Sequence, residues 1–299
     1  MPVADAALAA VAAAAPGPVT AALDVYQGPV GVAFAGVFGA ILGSFLNVCV
    51  HRLPRNESVV RPRSRCPSCG HGIAWYDNVP VLSWLALRAR CRHCRAPISI
   101  RYPLVELAVA LVWAWSVAWR GVSLDALASA VFVTLLLGMA LTDAEFYVIP
   151  DVFTLGGTAA GLLLAILPGG RVWWVGFVGA ALGYGLLWAV RWAGDAALRR
   201  GLIGGEELDA VLEEGEKPTT MGEGDLRMMA MVGAFLGPAG VVLTIFLGAL
   251  AGSLVFLPLR LLGKRIAIPF GVFLAVGAAL ALVVGEDLLA WYLRAALGR

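Results

Sequence analysis

The chain is 299 residues long, 60% hydrophobic and 14% charged, with a mean hydropathy of +0.84 and a formal net charge of +2. Those values exclude an ordinary soluble domain, in which roughly a quarter of the residues are charged, and describe a polytopic membrane protein. The small net charge decides nothing by itself, because the placement of Lys and Arg along a membrane chain sets its orientation.

Residues 1–27 are Ala-rich without Lys or Arg, so they lack the basic start of a cleaved signal peptide and are expected to form a short extracytoplasmic tail. A first transmembrane helix is expected within residues 28–50, where Pro29–Val50 is a long apolar run. At about 1.5 Å per residue this run crosses a hydrocarbon core of roughly 30 Å. Residues 51–102 then hold ten arginines against two acids, Glu57 and Asp77, so the positive-inside rule places this loop in the cytoplasm. Further apolar runs follow at Pro103–Trp119, Leu124–Thr142, Val152–Leu167, Val172–Trp192, Leu226–Leu236, Ala239–Leu259 and Ile268–Gly285. Pro168-Gly169 and Gly237-Pro238 mark turns between runs. The expected fold is thus an all-α polytopic membrane protein with about eight transmembrane helices. Leu226–Leu236 is its weak point, reaching only about half of the core, and is expected to be a partial or tilted helix. The 36 glycines fit close helix packing, although ordinary membrane-helix composition explains them equally well.

The Arg-rich loop carries Cys66-x2-Cys69 and Cys91-x2-Cys94, separated by residues 70–90. Two such knuckles can wrap four thiolates around one tetrahedral Zn²⁺, which gives a small loop with little core the energy to fold. Two disulfides are the alternative, but a cytoplasmic loop sits in a reducing compartment. His71 and His93 adjoin the cysteines and read as bystanders, and Cys49 as a small buried hydrophobe. With three histidines in all, a Cys/His or Ser/His/Asp hydrolase has little to build with.

Carboxylates remain. Near the expected helices they include Glu106, Asp143, Glu145, Asp151 and Asp225, and the threaded topology brings Asp143 and Asp225 to the same face of the membrane. Two facing carboxyls cannot both ionise easily and so share a proton, one acting as base toward water and the other as acid toward a carbonyl. Gly222 and Gly224 precede Asp225 and permit close approach of a substrate strand. Taken alone, "GEGD" reads more simply as a turn followed by a capping Asp.

It is not alone. "GSFLNVCVHRLP" (43–54), the paired knuckles with "DNVPVLSWLALRARCRHCRAPISIRYPLVE" (77–106), "LTDAEFYVIPD" (141–151), "GEGDLRMMAMVGAFLG" (222–237) and "IPFGVFLAVGA" (268–278) occur in order. In these five blocks the chain resembles the bacterial prepilin peptidases, or type IV leader peptidases. The resemblance implies a Gly-x-Gly-Asp membrane aspartic protease of the bacterial inner membrane, with Asp143 and Asp225 catalytic and Gly222, Gly224 and Arg227 in support. It implies cytoplasmic cleavage of class III leaders after a Gly, on prepilin and pseudoprepilin substrates of type IV pili and type II secretion. N-methylation of the new terminus from S-adenosylmethionine is implied for the Cys loop, residues 51–102. Residues 103–299 would be the peptidase domain. The surrounding lipid is the other expected partner, no nucleic acid is expected, and the oligomeric state stays open.

Asp151 is expected to cap the helix after Pro150, and Glu106 to pair with an Arg of the basic loop. The chain departs from the family pattern at Ala89, usually Gly, which bears on methylation, and at Arg227, usually Lys. A third departure is the acidic insert 194–221, either a lid or, more simply, a solvated linker. Two rival readings are an ion- or proton-coupled transporter, which should show internal repeats, and a zinc-ribbon membrane scaffold, which leaves both aspartates idle.

Overall fold

A computed structural model describes residues 28–167, 172–202, 219–261 and 269–297. The expected amino-terminal tail, the Pro168-Gly169 turn and the bulk of the acidic insert therefore lie outside the described residues. Every element of regular structure in the described residues is helical. The helices are α1 (Pro29–Arg52), the short α2 (Leu82–Ala86), α3 (Arg101–Arg120), α4 (Leu124–Phe146), α5 (Asp151–Ile166), α6 (Trp173–Arg199), α7 (Glu223–Leu261) and α8 (Phe270–Leu297). Six of them, α1, α3, α4, α6, α7 and α8, are long and apolar enough to cross a membrane, whereas α5 is shorter, so this is a multi-pass membrane protein.

All eight apolar runs are helical, but the sixth and seventh share one element. α7 is broken at Gly237, whose φ of 72° no helix contains and which suits a residue without a Cβ; Pro238 follows and cannot donate an N–H. The chain reverses there. Gly224 of the first half and Gly271 of α8 both approach Ile149, while Gly252 of the second half lies against Phe273, so both outer ends of α7 reach the same end of the bundle. At the other end Leu236 and Leu282 line a common cavity. The first half thus spans Glu223–Leu236, starting three residues before the run read from sequence and measuring about 21 Å.

Glycines set the helix crossings, which decides between the two explanations of their number. A Cβ on Gly183 would lie 2.1 Å from the Met229 carbonyl oxygen, one on Gly179 would lie 2.2 Å from that of Gly233, and one on Gly43 would lie 2.7 Å from Glu106 Cα. Backbones this close are how helices attract where lipid removes the hydrophobic drive. The first half of α7 is the buried centre: Met228, Met229, Met231 and Val232 are fully enclosed, packed with Phe132 and Met139 of α4 and Leu274 of α8.

Candidate active site and metal centre

α4 ends at Phe146, where Tyr147 turns left-handed (φ 54°) and returns its N–H to the Asp143 carbonyl at 3.0 Å. This leaves Asp143 in the last helical turn, buried, with its carboxylate facing the start of α8. There Val272 N–H donates to Asp143 Oδ2 at 3.2 Å, and a Cβ on Gly271 would sit 2.7 Å from the same oxygen. Asp225, partly buried in the first turn of α7, lies close enough to Asp143 for their charges to interact. Ile149 packs between them and their supports, since a Cβ on Gly224 would lie 3.0 Å from its Cβ and one on Gly271 2.8 Å from its Cδ1. Two aspartates on different helices, α4 and α7, therefore meet at one end of the bundle. Gly222 stands at the entry to the turn, where an added Cβ would lie 3.7 Å from Asp225 Oδ2.

Two acids have partners that differ from the sequence expectation. Pro150, not Asp151, occupies the cap position of α5, and no side chain caps that helix. Asp151 is the first helical residue, and its carboxylate accepts from Arg227 Nη1, while Nη2 of the same guanidinium donates to Glu223 at 2.8 Å. A distant guanidinium thus takes the carboxylate that a local rule assigns to capping. Glu106 is buried but pairs with no Arg among the described residues: its Oε2 accepts the Val81 N–H at 2.8 Å. That bond holds Val81 (φ 60°, ψ −50°) in a tight three-residue turn closed by Leu82 N–H to the Pro80 carbonyl at 2.6 Å.

The Cys loop sits at the same end. An ion pair joins Arg101 to Glu145, and Arg55 stacks over Phe146 with 4.8 Å from Cζ to the ring centroid. Its two knuckles repeat one geometry. Cys66 N–H bonds the His71 carbonyl and Cys91 N–H the Ala96 carbonyl, both at 2.9 Å, and the residue four after each first Cys is left-handed, Gly70 (φ 70°) and Arg95 (φ 62°). The four sulfurs converge within 4.8 Å of one another, with Cys66 and Cys94 Sγ 3.8 Å apart. A tetrahedron with Zn–S of about 2.3 Å has edges of roughly 3.8 Å, so the donor set fits Zn²⁺. All five cysteines are free thiols, with Cys49 buried. Backbone N–H groups of Cys69 and Ser68 pull the Cys66 thiol down to about 6, while burial and the neighbouring thiols push that of Cys94 up to about 11. His71 and His93 stand outside the cluster with ring centroids 3.5 Å apart. Asp77 accepts from Arg92 Nε at 2.7 Å and Nη2 at 2.6 Å, and this fork holds its carboxyl below the ordinary carboxylate range.

Residues 37–120 match the bacterial peptidase A24 N-terminal domain, and residues 130–257 match the type IV leader peptidase family. The chain is 36% identical over 301 residues to a "Prepilin leader peptidase/N-methyltransferase" of Burkholderia pseudomallei (strain 1026b), covering 91% of each. It belongs to the type IV leader peptidase family. Proteins of the same printed name from Myxococcus xanthus (strain DK1622) and Pseudomonas aeruginosa (strain PAO1) are 38% and 35% identical, over 81% and 86% of this chain and 68% and 92% of theirs. No solved structure matches it. As a type IV leader peptidase the protein is a membrane peptidase, and both aspartates, Asp143 and Asp225, fall inside the matched peptidase segment while the four cysteines fall inside the amino-terminal one.

Sequence reasoning missed the residues that hold the aspartates. Gly271, Val272 and Ile149 lie in the quoted blocks, yet nothing in their chemistry announces a role; only the fold brings them to Asp143. Ala89 explains a family Gly differently from close ligand approach: its φ is 57°, following Arg88 at 52°, so the backbone itself favours a residue without a Cβ there.

Proposed function

We propose that the protein is a prepilin leader peptidase that cuts class III leaders after Gly on the cytoplasmic side, with Asp143 and Asp225 as its catalytic dyad. The observation that carries this reading is the meeting of the two aspartates at one end of the bundle, each beside a glycine that keeps the approach open. In the reaction, the ionised carboxylate of the pair takes a proton from a water whose oxygen adds to the scissile carbonyl carbon. The protonated partner gives its proton to the carbonyl oxygen. Collapse of the tetrahedral adduct reforms the carbonyl, breaks the C–N bond and returns a proton to the leaving amine, so the pair again holds one proton between them. The Arg-rich loop shares the dyad's end of the bundle, which supports a cytoplasmic site in the inner membrane.

Cys66, Cys69, Cys91 and Cys94 would hold a structural Zn²⁺ that keeps the loop folded. The relatives' printed name supports a second activity, N-methylation of the freed terminus. S-adenosylmethionine, when bound, supplies an electrophilic methyl group, and the Cys loop's part is to hold the new amine beside it. The test is cleavage of a prepilin with a Gly-Phe junction by purified wild type, Asp143→Asn and Asp225→Asn, with product masses read with and without S-adenosylmethionine. Both variants should lose cleavage while keeping fold and zinc, and the wild-type product should gain one methyl mass. Substantial turnover in either variant refutes the dyad, and folded wild-type protein that cuts nothing returns the transporter and scaffold readings.

A further inference from the structure

Asp225 sits in the first turn of α7 just after Gly222 and Gly224, so the chain leading into it does little to fix it. A catalytic carboxylate has to be held to within a fraction of an ångström, and the restraint must come from neighbouring elements. On the amino-terminal side of the turn, Thr220 is bound twice by Asp195 near the end of α6: the Thr220 N–H and hydroxyl both donate to Asp195 Oδ1 at 2.9 Å. α6 is shaped to receive it, because a Cβ on Gly194 would lie 2.7 Å from Thr220 Oγ1. Arg191, one turn earlier, holds the other oxygen, with Nε 3.7 Å from Asp195 Oδ2, and reaches Glu223 with Nη1 at 3.9 Å. On the carboxy-terminal side, Arg227 forks between Asp151 of α5 and Glu223.

We propose that Asp195 and Asp151 are positioning residues for Asp225, clamping the two sides of its turn through Thr220 and Arg227. The proposal rests on the dyad reading. Neither clamp residue touches the reacting atoms, so its loss acts on the placement of Asp225 and appears in kcat rather than in KM.

The experiment measures kcat, KM and thermal melting on a Gly-Phe prepilin for wild type, Asp225→Asn, Asp195→Ala, Asp195→Asn, Thr220→Val, Arg227→Gln and Arg227→Lys. Asp195→Ala, Thr220→Val and Arg227→Gln should each lower kcat about 10- to 100-fold with KM within about twofold, the range expected for displacement of a catalytic group by up to an ångström. Asp195→Asn keeps an oxygen acceptor for both Thr220 donors and should retain most of the turnover, and Arg227→Lys should recover part of what Gln loses. Thr220→Val is close to isosteric, so it reports on the clamp even where Asp195→Ala melts early. Wild-type kcat in Asp195→Ala or Thr220→Val, or equal losses in Asp195→Asn and Asp195→Ala, overturns the clamp while an inactive Asp225→Asn leaves the dyad standing. An active Asp225→Asn overturns both.

Discussion

Gly271→Ala tests whether Asp143 is held by the start of α8. The new Cβ would lie 2.7 Å from Asp143 Oδ2 and 2.8 Å from Ile149 Cδ1. Ordinary separation for such atoms is about 3.5 Å, so the carboxylate must withdraw by roughly 0.8 Å or α8 must shift with it. Either movement lengthens the Val272 N–H bond to Asp143, now 3.2 Å. Misplacement near an ångström costs on the order of 10- to 100-fold, so kcat should fall by that factor, equivalent to about 1.4 to 2.7 kcal/mol of transition-state stabilisation. KM should stay within about twofold, because leader binding does not require the carboxylate's exact position. Gly156→Ala is the control: its Cβ meets nothing within 4 Å, and replacing a helical Gly should leave kcat unchanged and stabilise by about 0.5 to 1 kcal/mol. Steady-state kinetics and melting curves of both variants decide the matter. A Gly271→Ala enzyme with wild-type kcat and melting temperature would refute the role given to the start of α8.

Gly183→Ala, whose Cβ would lie 2.1 Å from the Met229 carbonyl oxygen, should force α6 and α7 apart and lower the melting temperature markedly, in contrast to Gly156→Ala. Ala89→Gly should relieve a left-handed alanine and stabilise the Cys loop by roughly 1 kcal/mol, read as slower zinc release to a chelator; an unchanged release rate would count against the strain. Chelation, or Cys66→Ser, should abolish N-methylation more completely than cleavage, since the thiolates serve the loop and the aspartates serve hydrolysis; equal loss of both would tie the loop to the peptidase. Cleavage should rise and fall with pH through two apparent pKa values that belong to the pair, and either Asn variant should remove the profile with the activity.

What could be read from sequence follows from how local each signal is. The knuckles are local: two Cys-x2-Cys pairs fold the same way because each closes its own turn, so spacing alone picks out the four sulfurs that converge. Gly237-Pro238 is local as well, and the chain turns there. Asp151 and Glu106 are not. Capping rules read an Asp after Pro as a helix start, but its partner Arg227 is 76 positions away, and a guanidinium fork outcompetes a backbone amide that the side chain can reach only in one rotamer. Glu106 meets a backbone N–H of Val81, and no residue type at position 81 signals an exposed amide. Gly271 was visible as one glycine among 36, and only the packing of α8 onto Asp143 sets it apart.

The short helices resolve the cost of placing carboxylates in a membrane. α5 has 16 residues and the first half of α7 runs Glu223–Leu236, so they measure about 24 and 21 Å against a hydrocarbon core of roughly 30 Å. Both begin at the dyad's end, and both begin with acids, Asp151 and Glu223, that stay substantially exposed and ion-paired. Helices this short cannot fill a core of full thickness, and the charged starts of α5 and α7 draw water to the end where they begin. The proposed hydrolysis would need water at Asp143 and Asp225, while an apolar substrate segment would need lipid. Short helices with charged starts where the aspartates meet would satisfy both, and lengthening α5 by one apolar turn should therefore slow cleavage without altering the dyad's geometry.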